Sequence, residues 1–85
     1  MAKFNKFEIR KIGTAYEIVK WNENNSFHST CFSVGYLVWD KKNEGFDFKS
    51  CGVRYLQHRE EGLEEWILAW CKMKEIEYKY MEEEE

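Results

Sequence analysis

The chain contains 85 residues, of which 44% are hydrophobic, 18% aromatic and 34% charged, with a net charge of −3. This length excludes a second core, and this apolar content excludes a disordered chain. No apolar run approaches the roughly 20 residues that a membrane span requires, and the charged start, MAKFNKFEIR, is unlike a signal peptide. The length leads us to expect one domain, residues 1–85. Three cysteines are an odd count for a disulfide framework, so we expect them to be reduced and the protein to be cytoplasmic.

Charge is distributed unevenly along the sequence. Residues 1–59 carry ten Lys or Arg and six Asp or Glu, a net +4, whereas residues 60–85 carry three Lys and ten Glu. Such polarity concerns solubility and partners rather than fold. Residues 82–85 are all Glu, the wrong sign for a helix C-terminus, so we expect this acidic tail to fray.

Four β-strands joined by short connections are predicted for the first fifty residues. Alternation of apolar and charged residues indicates a first strand at about residues 4–12, and the run AYEIVKW indicates a second at 15–21. The run STCFSVGYLVW, residues 29–39, gives the clearest strand pattern, and Phe46 and Phe48 begin a fourth strand after the loop DKKNEG. Short connections favour an antiparallel meander, because parallel neighbours need a long crossover.

The C-terminal part has helical periodicity. Five side chains recur at the spacing of an amphipathic helix: Leu63, Trp66, Ile67, Trp70 and Cys71. After them the stripe is interrupted by Lys74 and Glu77, so the last turns should project beyond the sheet. Because one face of a sheet and one stripe of a helix can bury each other, we predict an α+β fold. It is a four-stranded antiparallel β-meander with one C-terminal amphipathic α-helix packed on one face through Trp66 and Trp70.

Strict alternation assigns the two faces of the third strand. It places Phe32, Val34, Tyr36 and Val38 against the helix, and Cys31, Ser33, Gly35, Leu37 and Trp39 on the opposite, solvent-facing side. In the second strand, either the pair Tyr16 and Ile18 or the pair Val19 and Trp21 must face outward. We expect the pair that contains Trp21 to do so.

The segment between sheet and helix, FDFKSCGVRYLQHREEG, groups Cys51 with Arg54, His58 and Arg59. Nearby cations can lower the pKa of a cysteine thiol. No Cys-x-x-Cys motif occurs, however, and the residue six positions after Cys51 is a glutamine rather than the arginine of a phosphatase loop. Gly52 favours a bend at the end of the strand. We interpret the segment as a sheet-to-helix transition rather than a catalytic site.

Metal and cofactor sites are not indicated by the sequence. Structural zinc sites usually take two ligands from one tight turn; His28 and Cys31 have such spacing, whereas Cys51 and His58 do not. No Gly-rich phosphate loop or nucleophile elbow is present. We therefore expect a non-catalytic protein without a metal or a cofactor.

The open face of the predicted sheet is the best candidate for binding. An apolar patch rimmed by cations is expected there, formed by Trp21, Leu37, Trp39, Lys6, Arg10 and Lys49. Aromatic and arginine side chains are common anchors in protein interfaces. We expect this face, or an exposed edge strand, to contact a protein partner or a second copy of the chain.

Two other functions fit the sequence, the first of them through the same residues. The two exposed tryptophans can stack on the bases of single-stranded nucleic acid while the three cations neutralise phosphates, although a local charge of +4 is small for that role. Alternatively, the acidic helix can bind a basic partner through Glu64, Glu65 and Glu75, as an inhibitor that imitates nucleic acid does.

Overall fold

The computed structural model of the chain describes residues 3–4, 6–23 and 29–83. Within these residues, five strands form one antiparallel sheet in chain order: β1 (Lys3–Phe4), β2 (Phe7–Ile12), β3 (Ala15–Glu23), β4 (Ser29–Asp40) and β5 (Gly45–Ser50). Two helices follow, α1 (Val53–His58) and α2 (Leu63–Glu83). The fold is therefore α+β, an antiparallel meander followed by a long C-terminal helix, as the sequence predicts.

Two short elements differ from the prediction of four strands and one helix. The predicted first strand is interrupted by a tight turn, so that β1 folds back and Phe4 lies opposite Phe7. The segment after β5 forms a separate helix, α1, which ends where Arg59 adopts an extended conformation. Gly62 then takes a φ of +88°, a left-handed conformation that favours glycine, and it separates α1 from α2.

Helix α2 covers one face of the sheet with the predicted stripe. Leu63, Ile67, Trp70 and Cys71 are buried in the core. The ring of Trp70 contacts Tyr16 of β3 edge-on, with centroids 4.7 Å apart. Burying side chains of this size is worth about 2 to 3 kcal/mol each, so this contact between helix and sheet is a principal source of stability.

The N-terminal end of the same helix contact involves Trp66. This side chain is partly buried and packs against the core. Its ring stacks on Phe4 of β1, with centroids 5.7 Å apart. The short strand β1 therefore extends the sheet under α2, and its Phe4 covers one side of the Trp66 ring.

A β-bulge in β4 shifts the alternation of its side chains. Ile18 of β3 lies opposite Gly35, but the next residue, Val19, lies opposite Ser33, so Val34 is an extra residue. Such an insertion bends the strand and changes which side chains face inward beyond it. The predicted faces of β4 therefore hold before the bulge and are wrong after it.

Beyond the bulge, the inward-facing side chains are Leu37 and Trp39 rather than their neighbours. Leu37 is completely buried, and Trp39 is half-buried beneath α2. Tyr36 and Val38, which strict alternation assigns to the core, are 37% and 39% exposed on the outer face. Before the bulge the prediction is correct for Phe32, which packs against the core, and for buried Val34. It is also correct for Cys31 and Ser33, which contact Arg10 and Glu17 on the outer face.

Helix α2 stays in contact with the sheet beyond Cys71, which corrects the prediction that its last turns project outward. Tyr78 stacks on Trp39 with centroids 4.8 Å apart and rings within 12° of parallel. Lys74, which interrupts the apolar stripe, places its ammonium group 5.9 Å from the ring centroid of Trp70. The helical backbone continues to Glu83, and the rest of the predicted frayed tail lies outside the described residues. Among the described residues, no helix is long and apolar enough to span a membrane.

Candidate interaction site

The apolar patch predicted on the outer sheet face does not form. Leu37 is part of the core, and Trp39 lies between Phe46 and Tyr78 under α2. Trp21 lies on the outer face together with Val19, as expected for this pair, but Val19 is only 1% exposed and Trp21 alone is accessible. Its indole N–H donates a hydrogen bond of 2.9 Å to the Glu8 carboxylate, so the polar edge of this ring is already occupied.

The cations predicted to rim that patch are separated, and two of them are paired with acids. The Arg10 guanidinium donates to the Glu17 carboxylate at 3.3 Å. The Lys49 ammonium lies 3.0 Å from the Asp47 carboxylate at the other side of the sheet. Lys6 is exposed beside Trp21 in a small pocket of about 180 Å³. The outer face therefore lacks the predicted basic rim: two of its cations are paired with acids, and they lie among exposed apolar side chains such as Tyr36 and Val38.

Glu17 is a buried carboxylate on this outer face. It accepts hydrogen bonds from Arg10 and from the Ser33 hydroxyl, and the Tyr36 hydroxyl in turn donates to Ser33 at 3.4 Å. The hydrogen bond to Glu17 raises the pKa of Arg10. Because buried charges need such partners, this network, in which each carboxylate oxygen of Glu17 accepts a hydrogen bond, stabilises the outer face.

The cluster at the sheet-to-helix junction is dispersed. The bend predicted at Gly52 is confirmed by its φ of +58°. The guanidinium of Arg54 lies over the Phe32 ring, 5.9 Å from its centroid, and the His58 ring meets the same phenylalanine edge-on. Arg59 instead pairs with a glutamate of α2. These side chains pack against the sheet and the second helix rather than around Cys51.

The other two cysteines lie away from this junction. The sulfur of Cys31 accepts a long hydrogen bond of 3.7 Å from the Arg10 guanidinium. Cys71 is buried under α2, and burial, followed by the nearby Glu75 carboxylate, raises the pKa of its thiol to about 11. A thiol with so high a pKa is a poor nucleophile at neutral pH. Among the described residues, no three His, Cys, Asp or Glu side chains are grouped as a metal ion requires; His28 lies outside them.

The two edges of the sheet differ in length. One edge is β1, which has two residues, and the other is β5, which has six. Residues 47–50 of β5 are exposed, and the described pairing of β5 with β4 contains no bulge. Natural proteins usually protect edge strands by shortening, bending or covering them. In this fold the β1 edge is short, whereas the β5 edge is open.

The backbone of β5 directs alternate hydrogen-bonding groups toward this open edge. The Cys51 amide donates to the Val34 carbonyl at 3.0 Å, and the Lys49 carbonyl lies 3.2 Å from the point where a Cβ would stand on Gly35. Both contacts show that odd-numbered residues of β5 bond to β4. Because antiparallel strands alternate in this respect, the N–H and C=O groups of Phe46, Phe48 and Ser50 point outward.

An apolar groove runs alongside this edge, between β5 and the two helices. It has a volume of about 550 Å³ and is lined mainly by Phe48, Tyr55, Leu56, Ile67 and Leu68. Three of these side chains expose large apolar surface to solvent: Phe48 is 38% exposed, Leu56 61% and Leu68 60%. Contiguous exposed apolar side chains of this kind often mark an interaction site.

One end of the groove is polar. The Tyr55 hydroxyl and the Arg59 guanidinium both donate to the Glu64 carboxylate, at 3.4 and 3.3 Å. Burial and then the Glu64 charge raise the pKa of Tyr55, so this hydroxyl stays protonated at neutral pH. The groove thus joins an apolar floor to a hydrogen-bonded polar end.

The sequence anticipates an exposed edge strand as a possible contact but does not identify β5 as that edge. Of the residues that it proposes for partner binding, only Lys49 lies on β5. Two sequence signals point to the edge and the groove. The last strand of a meander must lie at an edge of its sheet, and Leu56 and Leu68 are apolar residues outside the buried stripe of α2. What the sequence lacks is the position of α1, which closes one side of the groove.

Comparisons with protein-family models, with curated proteins and with solved structures found no match for this chain. The fold and the site define an α+β meander domain with one open sheet edge beside an apolar groove. The open edge and the groove are the two features on which a functional proposal can rest.

Proposed function

We propose that the chain is a protein-binding domain that pairs β5 with an extended strand of its partner. The observation that carries the proposal is the open β5 edge: among the described residues, no strand pairs with the outward backbone groups of Phe46, Phe48 and Ser50, which lie next to exposed apolar side chains. Strand addition at a sheet edge obtains affinity from main-chain hydrogen bonds and specificity from pockets for alternate side chains. In this domain the outward backbone groups of β5, which can supply such hydrogen bonds, lie beside the apolar groove, which can accept side chains.

The partner strand is expected to have alternating character. Side chains of an added strand that point to the helix side fall beside Phe48 and the groove residues Leu56 and Leu68, an apolar environment. Side chains on the other face lie next to Asp47 and Lys49, which are charged and exposed. A strand with apolar residues on one face and polar residues on the other therefore fits this edge best.

The structural arrangement gives no specific support to single-stranded nucleic-acid binding. Trp39 lies under α2 and cannot stack on a base without moving Tyr78. Arg10 and Lys49 are each engaged with an acid, so phosphates would have to compete with those pairs. The acidic-helix alternative also lacks a distinguishing feature, since Glu64 is bonded within the chain.

Selection from a displayed random-peptide library tests the proposal. We expect the wild-type domain to retain peptides with apolar residues at every second position. Two variants should weaken binding of the selected peptides by about tenfold or more: Leu68→Glu, which places a charge in the groove, and Ser50→Pro, which removes an outward N–H.

The matched control is Ile76→Glu. Ile76 lies on the same helix, is 68% exposed and does not line the groove, so the same charge change there should leave the affinity within about twofold. Selected peptides without alternation, or equal binding by all variants, would contradict strand addition at β5.

A further inference from the structure

We propose that a second copy of this chain is a strand that β5 binds, so that two β5 strands pair antiparallel about a two-fold axis. This inference rests on the proposed function and specifies a partner for it. It is carried by the order of charges along β5. Asp47 and Lys49 precede and follow Phe48 in sequence, and their side chains lie on the exposed outer face.

Symmetry restricts the possible registers of such a pair. A two-fold axis perpendicular to the sheet keeps the same face of both copies on the same side, so inward residues must lie opposite inward residues. Centring the pair on Phe48 satisfies this condition and overlaps five of the six residues of β5, residues 46–50. The next allowed registers are centred on Asp47 and on Lys49.

The charges favour the register centred on Phe48. In it, Asp47 lies opposite Lys49 of the second copy, and the symmetry repeats this attractive pair. The register centred on Asp47 places two aspartates opposite each other, and the register centred on Lys49 places two lysines opposite each other. Because opposite charges across a strand pair stabilise it and like charges destabilise it, β5 selects one register and disfavours both neighbours.

The apolar side chains support the same register. Phe48, 38% exposed in the single chain, meets Phe48 of the second copy on the helix side of the joined sheet. The outward N–H of each Phe48 then donates to the Phe48 C=O of the other copy, so the pair exchanges two backbone hydrogen bonds. The two apolar grooves lie on the same face of the joined sheet, next to this aromatic pair. Pairing therefore covers surface and satisfies backbone groups that the single chain leaves in water.

Strand β5 also lacks the features that prevent edge pairing. The sequence contains no proline, and the charged side chains of β5 point to the outer face rather than into the groove. Its lysine, a residue type that commonly blocks edges, is balanced by Asp47 at 3.0 Å.

Charge exchange with mixing tests the proposal. Asp47→Lys gives β5 two lysines and Lys49→Asp gives it two aspartates, so each variant alone repels its own copy in the Phe48-centred register. Mixed in equal amounts, the two variants form attractive pairs at both positions. The double variant Asp47→Lys/Lys49→Asp also restores attraction within a single species.

Sedimentation equilibrium over a wide range of protein concentration is the measurement. We expect the wild type to show a reversible monomer–dimer equilibrium, each single variant to dimerise roughly tenfold or more weakly, and the mixture and the double variant to recover the wild-type affinity. Lys41→Glu, a charge reversal in the exposed hairpin loop, should behave as wild type. Far-UV circular dichroism checks that each variant is folded.

Three outcomes overturn the inference: a wild type that stays monomeric up to millimolar concentration, single variants that dimerise as the wild type does, or a mixture that fails to recover. None of these outcomes contradicts strand addition itself, because the peptide selection measures binding of other strands to β5 and does not require the domain to dimerise. Conversely, loss of peptide binding with an intact charge-exchange pattern would restrict β5 to self-pairing.

Discussion

Two leucines of this domain have opposite environments that their immediate neighbours in sequence do not reveal. Leu37, in the middle of β4, is completely buried, whereas Leu68, on α2, is 60% exposed beside the groove. Leu37 is buried because of the bulge at Val34, which reverses the alternation that would otherwise direct Leu37 to solvent.

Truncation of these two leucines should therefore have unequal effects. Leu37→Ala leaves a cavity in the core and should lower the free energy of unfolding by about 2 to 5 kcal/mol. Leu68→Ala removes exposed atoms and should change it by less than about 0.5 kcal/mol. Urea unfolding of dilute protein, followed by tryptophan fluorescence, measures both; equal losses would mean that Leu37 is not inside the core.

The buried thiol of Cys71 makes the stability of the domain depend on alkaline pH. Burial raises its pKa from 9.0 to about 11, so between these values the unfolded chain releases a proton that the folded chain keeps. The unfolded state then binds fewer protons, and the free energy of unfolding falls as pH rises through this interval.

We expect this loss to be on the order of 2 kcal/mol between pH 9 and 11. The tyrosines also titrate in this range, so the comparison is with Cys71→Ala, which should be less stable at pH 8 but should lose less stability on going to pH 11. Urea unfolding at the two pH values gives the four free energies. An identical pH dependence in both proteins would show that the thiol is not desolvated.

The C-terminal half of α2 is held on the sheet by an aromatic contact that interrupted periodicity conceals. Lys74 and Glu77 lie where further apolar residues would continue the stripe, yet Tyr78 reaches Trp39 and Phe46. Trp39 is in this position because of the bulge in β4. One local irregularity thus determines how far along its length the helix is docked.

Tyr78→Ala should detach this part of the helix. We expect a loss of about 2 kcal/mol in the free energy of unfolding, together with faster amide exchange along residues 74–80. Tyr80→Ala is the matched control, since Tyr80 is 66% exposed on the same helix, and its effect should stay within about 0.5 kcal/mol. Similar losses for the two tyrosines would contradict the docking of Tyr78 on Trp39.

The sequence predicts the elements of this fold better than their faces. Two-residue periodicity identifies β2 and β4, and the spacing from Leu63 to Cys71 identifies α2. Strand β3, whose residues 16–19 are all buried, is identified by its β-forming residues instead. The bulge has no comparable signature, because Val34 is itself a good strand residue and its insertion depends on the pairing with β3. The predicted binding patch was wrong at Leu37 and Trp39 for that reason.

At the level of the whole domain, topology produces the candidate site. A meander puts its first and last strands at the two edges, and β1 is too short to offer much of a template. The helices cover the sheet up to β5 and stop beside it, which leaves an apolar groove next to unpaired backbone groups. Interaction through this edge is thus a property of the assembled fold rather than of any motif in the sequence.

Residue-resolved amide hydrogen exchange across β5 is the most direct test of whether this strand pairs through its open edge. In dilute protein, the amides of Phe46, Phe48 and Ser50 should exchange rapidly while those of Asp47 and Lys49, bonded to β4, exchange slowly. When β5 is paired, with a second copy at high concentration or with a selected peptide, the first three should become protected as well. Protection of those three amides already in dilute protein, or rapid exchange in every bound state, would contradict strand pairing at this edge.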